Sequence, residues 1–195
     1  MRHACGDLAG ASADSERSLG AARLARDTQA VAPALRARAT VLLAEDRRDE
    51  ADALADELLQ LGPEIAVSLA GPAIVELAWL AHVLGRESEL IAVLARAPTV
   101  PWTLAARAVA SGDFETAVPV LAETGCRSGE AYTHLRAAQA LGSAGRTAQA
   151  EAHLEAALVF YREVGARHLI REGEALEAFM GGGESVQGDR RASPR

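Results

Sequence analysis

Apolar and polar positions along the chain follow the spacing of α-helices, and that spacing repeats. The stretch GDFETAVPVLAETG begins at residue 112, and GRTAQAEAHLEAAL begins 33 residues later, at residue 145. In each, an apolar helix ends at glycine, a short polar turn follows, and a second helix carries small or apolar residues at helical spacing. The pattern predicts a helical hairpin, because alanine lets two helix axes approach and glycine accepts the left-handed backbone that ends the first helix.

Two earlier stretches, residues 35–63 and 75–98, fit the same pattern. The four turns are then centred on Asp46, Gly85, Gly112 and Gly145, at intervals of 39, 27 and 33 residues. Four small or apolar positions recur around each turn: Ala39, Leu42, Ala51 and Ala55; Ala78, Ala81, Leu90 and Leu94; Ala105, Ala108, Ala117 and Leu121; Ala138, Leu141, Ala150 and Leu154. Residues 165–180 predict one further helix, whose apolar face would cap the last hairpin.

The two ends of the chain lack this pattern. Residues 1–18 and 181–195 are rich in Gly, Ser, Arg and Asp without periodicity, so we expect a flexible segment at 1–18 and a disordered tail at 181–195. No linker interrupts the residues between them. The sequence therefore predicts an all-α fold with one helical-repeat domain over residues 19–180.

Composition supports a folded helical chain and excludes two kinds of enzyme. Hydrophobic residues make up 49% of the 195 residues and aromatic residues only 4%, with alanine dominant, which favours closely packed helices over a sheet. All 20 basic residues are arginine. A P-loop and a pyridoxal enzyme each need a lysine, so neither site can be built here.

Charge, cysteine content and hydropathy limit the classes of partner and the cellular location that we expect. A net charge of −7 would repel nucleic acid, so we expect no direct nucleic-acid binding. The best membrane candidate, residues 65–85, is interrupted by Pro72, Glu76 and His82, and the N-terminus lacks a signal-peptide stretch. Two distant cysteines, Cys5 and Cys126, suggest no disulfide framework, and a cytoplasmic location is expected.

Residues 28–164 resemble the tetratricopeptide repeat, whose hairpins of 34 residues carry small residues late in the first helix and early in the second. The resemblance implies a right-handed array of about four helical hairpins with a C-terminal capping helix. This chain departs from the family in replacing most of its Trp and Tyr by Ala and Leu.

A closer resemblance covers residues 112–176, and its most specific pieces are EAYTHLRAAQAL, ALVFYREVGA and IREGEAL. The segment is similar to the C-terminal helical-repeat region of large actinobacterial signalling proteins. In those proteins a class III adenylyl cyclase domain or a helix-turn-helix domain flanks an AAA-type ATPase. The resemblance implies a partner-sensing or scaffolding segment, and none of the family's catalytic residues has a counterpart in this chain.

Tetratricopeptide arrays bind an extended peptide or a helix along a concave groove. The family's groove-facing positions correspond here to Arg36, Thr40, Val75, Trp79, His82, Trp102, Val109, Tyr132, Leu135 and Gln139. In this interpretation the aromatic residues supply contact area and Arg36 pairs with a partner carboxylate. The alternative is that Trp79 and Trp102 fill gaps in an alanine-rich core.

Other chemistry-bearing residues do not form a recognisable site. The spacing of His134, His153 and His168 is not that of two ligands on one helix face, and Glu172, Glu174 and Glu177 are not placed in a cleft by any pattern. Cys126 has no evident base nearby in sequence. We therefore expect no catalytic residue, no metal and no cofactor.

The sequence leaves several functional hypotheses. The first is a non-enzymatic protein-protein interaction or scaffold module of a bacterial signalling or transcription-regulatory system. A second is a small-molecule-binding helical regulator that uses the same concavity, and a third is a fragment of a cyclase or ATPase regulator whose catalytic domains lie elsewhere. The first hairpin would also leave an open N-terminal face, through which the chain could self-associate.

Overall fold

The computed structural model describes residues 7–69 and 71–189. Within these residues the chain forms α-helices and no β-strand, which confirms the all-α prediction. A 3₁₀ turn spans Gly62–Glu64 and leads into the helix that begins at Ile65. The helices are α1 (Leu8–Ala25), α2 (Thr28–Ala44), α3 (Arg48–Gln60), α4 (Ile65–Ser68), α5 (Pro72–Leu84), α6 (Glu87–Leu94), α7 (Pro101–Ala110), α8 (Phe114–Glu123), α9 (Arg127–Ser143), α10 (Thr147–Val164) and α11 (Arg167–Asp189).

The four predicted turns are present and share one backbone geometry. Asp46, Gly85, Gly112 and Gly145 each have a positive φ, between 60° and 77°. In each turn the next amide donates to the carbonyl five residues before it, which is the Schellman arrangement. These hydrogen bonds run from Arg47 to Leu42 (2.9 Å), Arg86 to Ala81 (2.8 Å), Asp113 to Ala108 (2.8 Å) and Arg146 to Leu141 (2.9 Å).

The small and apolar positions aligned around the turns all lie in the interior. Every one of the sixteen, from Ala39 to Leu154, is buried. Seven helix-crossing alanines among them have no exposed surface: Ala39, Ala51, Ala78, Ala105, Ala117, Ala138 and Ala150. The four turns therefore join α2 to α3, α5 to α6, α7 to α8 and α9 to α10, at the positions that the sequence predicts.

Asp46 is the one residue of the four that is not glycine, and its backbone lies in the left-handed region, at φ 60°. The left-handed backbone costs an L-residue of this kind about 1 kcal/mol, and glycine avoids that cost. We expect Asp46→Gly to raise the free energy of unfolding by about 0.5 kcal/mol, since glycine also gains freedom in the unfolded chain. Urea denaturation would measure it.

Asp49→Gly serves as the control for Asp46→Gly, because Asp49 lies in the first turn of α3 with a helical backbone. There glycine loses helix propensity and a favourable charge, so stability should fall by about 1 kcal/mol. A loss of stability in both variants would mean that Asp46 is not strained.

The chain divides into two compact units, Met1–Gly129 and Glu130–Arg195, although the sequence shows no linker between residues 19 and 180. The boundary falls inside the first turn of α9. A division within a helix is marked by no loop and no change of composition, so the sequence carries no signal for it.

In the first unit, α1 packs on α2, α2 on α3, and α7 on α5, α6 and α8. The helix α1 corrects the prediction of a flexible segment over residues 1–18, of which residues 1–6 lie outside the described residues. It also corrects the expected open N-terminal face, because α1 packs along α2. Part of this contact is polar: the buried Arg38 of α2 donates to the hydroxyls of Ser12 (2.9 Å) and Ser15 (3.3 Å).

In the second unit, α10 and α11 lie against each other where α11 has a glycine. A Cβ on Gly173 would stand 2.7 Å from Leu158 Cδ2, so any larger residue here would force Leu158 to shift. A Cβ on Gly142 of α9 would likewise stand 3.0 Å from Met180 Sδ. The helix α11 continues to Asp189, within the tail predicted over 181–195, and residues 190–195 of that tail lie outside the described residues.

Candidate binding residues

Two of the predicted groove residues on α2 are engaged within the first unit. Arg36 is partly buried and forms an ion pair with Glu76 of α5. The Thr40 hydroxyl donates to the Arg36 carbonyl (3.0 Å), one helical turn before it. The predicted role of Arg36, pairing with a partner carboxylate, would therefore require the partner to replace Glu76.

Three further groove residues of the first unit, Val75, Trp79 and Val109, lie in its interior. The Trp79 side chain is 3% exposed and stacks on Phe114, with ring centroids 5.6 Å apart and an interplanar angle of 11°. A partner cannot reach these side chains in this conformation. The structure therefore places Trp79 in the core, as the alternative interpretation of the sequence predicts.

His82 and Trp102 keep part of their surface accessible. His82 Nδ1 lies 2.9 Å from Glu87 Oε1, and its ring meets the edge of Trp79 at 5.9 Å between centroids. Trp102 lies in the first turn of α7, between Val100 and Leu104, whose side chains are 42% and 41% exposed. The start of α7 thus presents apolar side chains to solvent.

Of the three predicted residues on α9, Leu135 is buried without exposed surface, whereas Tyr132 and Gln139 are partly exposed. Tyr132 and Gln139 belong to a group that we call the Arg136 cluster: Tyr132, Arg136 and Gln139 of α9, Tyr161 of α10 and Glu172 of α11.

Arg136 is the centre of the cluster. Its Nη1 donates to Gln139 Oε1 (2.7 Å) and to Glu172 Oε1, and its Nη2 donates to Glu172 Oε2 over a longer 3.4 Å. Gln139 Nε2 donates to the same Glu172 Oε1 (3.0 Å). The guanidinium carbon lies 4.5 Å from the centre of the Tyr132 ring, a cation–π contact. The cluster therefore holds one cation, one carboxylate and several fixed donors.

Two donors of the cluster have no acceptor. The Tyr161 side chain is 2% exposed, and neither its hydroxyl nor the buried Arg136 Nε makes a hydrogen bond. Burial raises the pKa of Tyr161, against the nearby Arg136 charge, which lowers it. Tyr161 therefore stays a neutral donor at every physiological pH.

A second polar pair joins α9 to α10. His134 Nδ1 and His153 Nδ1 lie 2.8 Å apart, so one ring donates to the other. Burial, and then the neighbouring His153, lower the pKa of His134 to about 4. These residues contact each other despite being 19 positions apart, a spacing that shows no ligand pattern in the sequence.

No family model, no curated protein and no solved structure matches this chain.

Among the described residues, no three His, Cys, Asp or Glu side chains converge in a way that could hold a metal ion. None of the described helices combines the length and the apolar character needed to cross a membrane.

Proposed function

We propose that this chain is a non-catalytic interaction module that binds a protein or peptide partner on the surface of its helical hairpins. The observation that carries the proposal is the apolar start of α7. Val100 and Leu104 lie one helical turn apart, both exposed, beside the partly exposed Trp102. Exposed aliphatic side chains at this spacing suit the apolar face of a partner helix.

The finer features expected from the sequence belong to the same proposal: a tetratricopeptide-like right-handed array and a role in a bacterial signalling system. Four turns of identical geometry and sixteen buried small or apolar positions support the repeat. The groove residues predicted from the sequence that keep accessible surface are Arg36, Thr40, His82 and Trp102 in the first unit. In the second unit they are Tyr132 and Gln139. Within each unit, these are the predicted residues that a partner could touch.

Site-specific photo-crosslinking in the source cells tests the proposal. A benzophenone amino acid placed at Leu104 should give an adduct of defined mass with one partner. The matched control carries the same group at Leu24, an exposed leucine of α1 that has no large exposed apolar side chain one turn away. Equal adduct patterns at both positions, or none at Leu104, would contradict the proposal.

The mass of the native polypeptide tests whether the module acts alone. An immunoblot of source-cell lysate with antibody to residues 165–180 should show a band near 20.4 kDa for a free-standing adaptor. A band several times larger would place the module within a multidomain regulator, and the chemistry would then be sought in its other domains.

A further inference from the structure

One side of α7 carries two exposed apolar side chains and a positive charge. Val100 is the N-cap residue of the helix, and Leu104 and Arg107 follow it at helical spacing, which places the three residues on the same side. Val100 and Leu104 are exposed, and Arg107 is partly exposed. We call these three residues, together with Arg96 of the loop before α7, the Arg107 face.

The Arg107 face lies in the longest stretch of the sequence that has no acidic residue. Residues 90–112 contain no Asp or Glu, and Arg96 and Arg107 are their only charged side chains, although the whole chain has a net charge of −7. Neither arginine forms an ion pair with any of the described residues. Arg86, by contrast, pairs with three carboxylates. Within the described part of the chain, no carboxylate therefore neutralises this face.

Arg107 is held in a fixed position. Its Nη2 donates to the carbonyl of Leu94 (2.8 Å) and, over a longer 3.4 Å, to that of Ala97. These two carbonyls lie on either side of Arg96 in the chain, so both arginines are at the loop that joins α6 to α7. An anchored cation loses little side-chain freedom on binding, and the exposed Arg96 can adjust to a partner.

We propose that the Arg107 face binds an acidic amphipathic helix of the protein partner. The apolar side of that helix would lie on Val100 and Leu104, and its Asp or Glu residues would pair with Arg96 and Arg107. Aliphatic side chains one helical turn apart match the spacing of apolar residues on an amphipathic helix, and the guanidinium group is well suited to pairing with a carboxylate. The inference rests on the proposed function and adds to it the chemistry of the partner.

The charge of the rest of the chain favours binding of such a partner at this face. A surface with net negative charge repels an acidic helix, whereas two arginines without carboxylates attract it. Repulsion at the wrong sites contributes to specificity in the same way as attraction at the right one. The binding should also weaken as the salt concentration rises, because ions screen exposed charges.

Two other occupants fit these charges less well. In a two-fold symmetric dimer through this face, Arg96 and Arg107 of one copy would meet the same arginines of the other, and like charges repel. An anionic membrane would attract the two arginines, but the net charge of −7 would repel the chain as a whole. Each of these occupants would give its own experimental result.

The partner segment that is cross-linked at Leu104 tests the inference directly. The benzophenone adduct formed in the source cells is digested, and the cross-linked peptide is identified by mass spectrometry. It should have a net negative charge and apolar residues at helical spacing. A neutral or basic segment would overturn the inference and leave the proposed function standing. A segment of this same chain would show self-association and would also overturn it, whereas the absence of any adduct would contradict the proposed function itself.

Charge reversal at Arg96 separates the ionic contact from the apolar one. The identified segment is synthesised, and its affinity for the full-length chain is measured by fluorescence anisotropy at low and at high salt. Arg96→Glu should weaken binding about fivefold at low salt, and by less at high salt. Arg171→Glu is the matched control, because it makes the same change of charge at an exposed arginine of α11. It should leave the affinity unchanged, and equal effects of the two variants would overturn the inference.

Vesicles of phosphatidylcholine and phosphatidylserine test the membrane as occupant. We expect that the wild-type chain does not sediment with them. Sedimentation of the wild type that is lost in Arg96→Glu and kept in Arg171→Glu would assign the face to a membrane surface, and the inference would be wrong.

Discussion

Replacing Gly173 by leucine is expected to lower the free energy of unfolding by about 3 kcal/mol, as overpacking of a tight helix contact does. Gly173 is buried on α11, and the position of its missing Cβ is 2.7 Å from Leu158 Cδ2 and 3.2 Å from Leu154 Cδ1. Leu158 and Leu154 are themselves buried. They have little room to move, so α10 and α11 must separate.

Gly20→Leu is the matched control for this substitution. Gly20 lies in the interior of α1, is exposed, and has no atom within 4 Å of its added Cβ. Here the leucine gains helix propensity without a clash, so stability should rise by up to about 1 kcal/mol. Urea denaturation followed by far-ultraviolet circular dichroism measures both. A similar effect of the two variants would mean that the approach of α10 to α11 is not tight.

Acidification is expected to destabilise the second unit through His134. In the unfolded chain this histidine has an ordinary pKa near 6.5, whereas in the folded protein burial and His153 lower its pKa to about 4. Between these values the unfolded state binds more protons, so stability is complete above about pH 6.5 and falls as the pH drops toward 4. From pH 7.5 to pH 5 the loss should be about 1 kcal/mol, because His134 is only partly buried and water screens part of the effect.

The pH range distinguishes His134 from the carboxylates. A side-chain hydrogen bond from Ser12 lowers the pKa of Glu45, and one from Arg47 lowers that of Glu50. The stability that they contribute is lost only as the pH falls through and below about 4.5. Denaturation of wild type and His134→Gln at pH 7.5 and pH 5 isolates the histidine. The variant should lose much less stability over this range, and an equal loss in both would exclude His134 as the cause.

The hairpins could be predicted from the sequence because their determinants are local. Gly85, Gly112 and Gly145 have the left-handed backbone that ends a helix, and Asp46 adopts the same conformation at the aligned position. The buried positions follow at helical spacing on either side of each turn. All of these signals lie within one hairpin, so one sequence is enough to detect them.

The first helix could not be predicted in the same way. The buried face of α1 consists of Ala11, Ser15, Leu19 and Ala22, which is a weak apolar pattern with one hydroxyl in it. Part of its contact with α2 is the hydrogen bonding of Arg38 to serines, and it depends on a residue in another helix. Gly20 within the helix also suggests a break, although the backbone passes through it without one.

The Arg136 cluster depends on contacts between distant residues, and only part of it is visible in the sequence. Tyr132 and Gln139 are among the groove positions identified from the resemblance, and Arg136 follows Tyr132 by four residues, a spacing that places both on one helix face. Glu172 lies 36 residues beyond Arg136, and no spacing rule connects them. The unsatisfied Tyr161 hydroxyl is a property of packing, which cannot be read from sequence.

The division at Gly129 separates the chromophores of the protein. Both tryptophans, Trp79 and Trp102, belong to the first unit, and both tyrosines, Tyr132 and Tyr161, belong to the second. Fluorescence excited selectively at the indole therefore reports on the first unit alone, and phenol absorbance differences report on the second. One unlabelled sample can thus show, during a single denaturation, whether the two units unfold together or in separate steps.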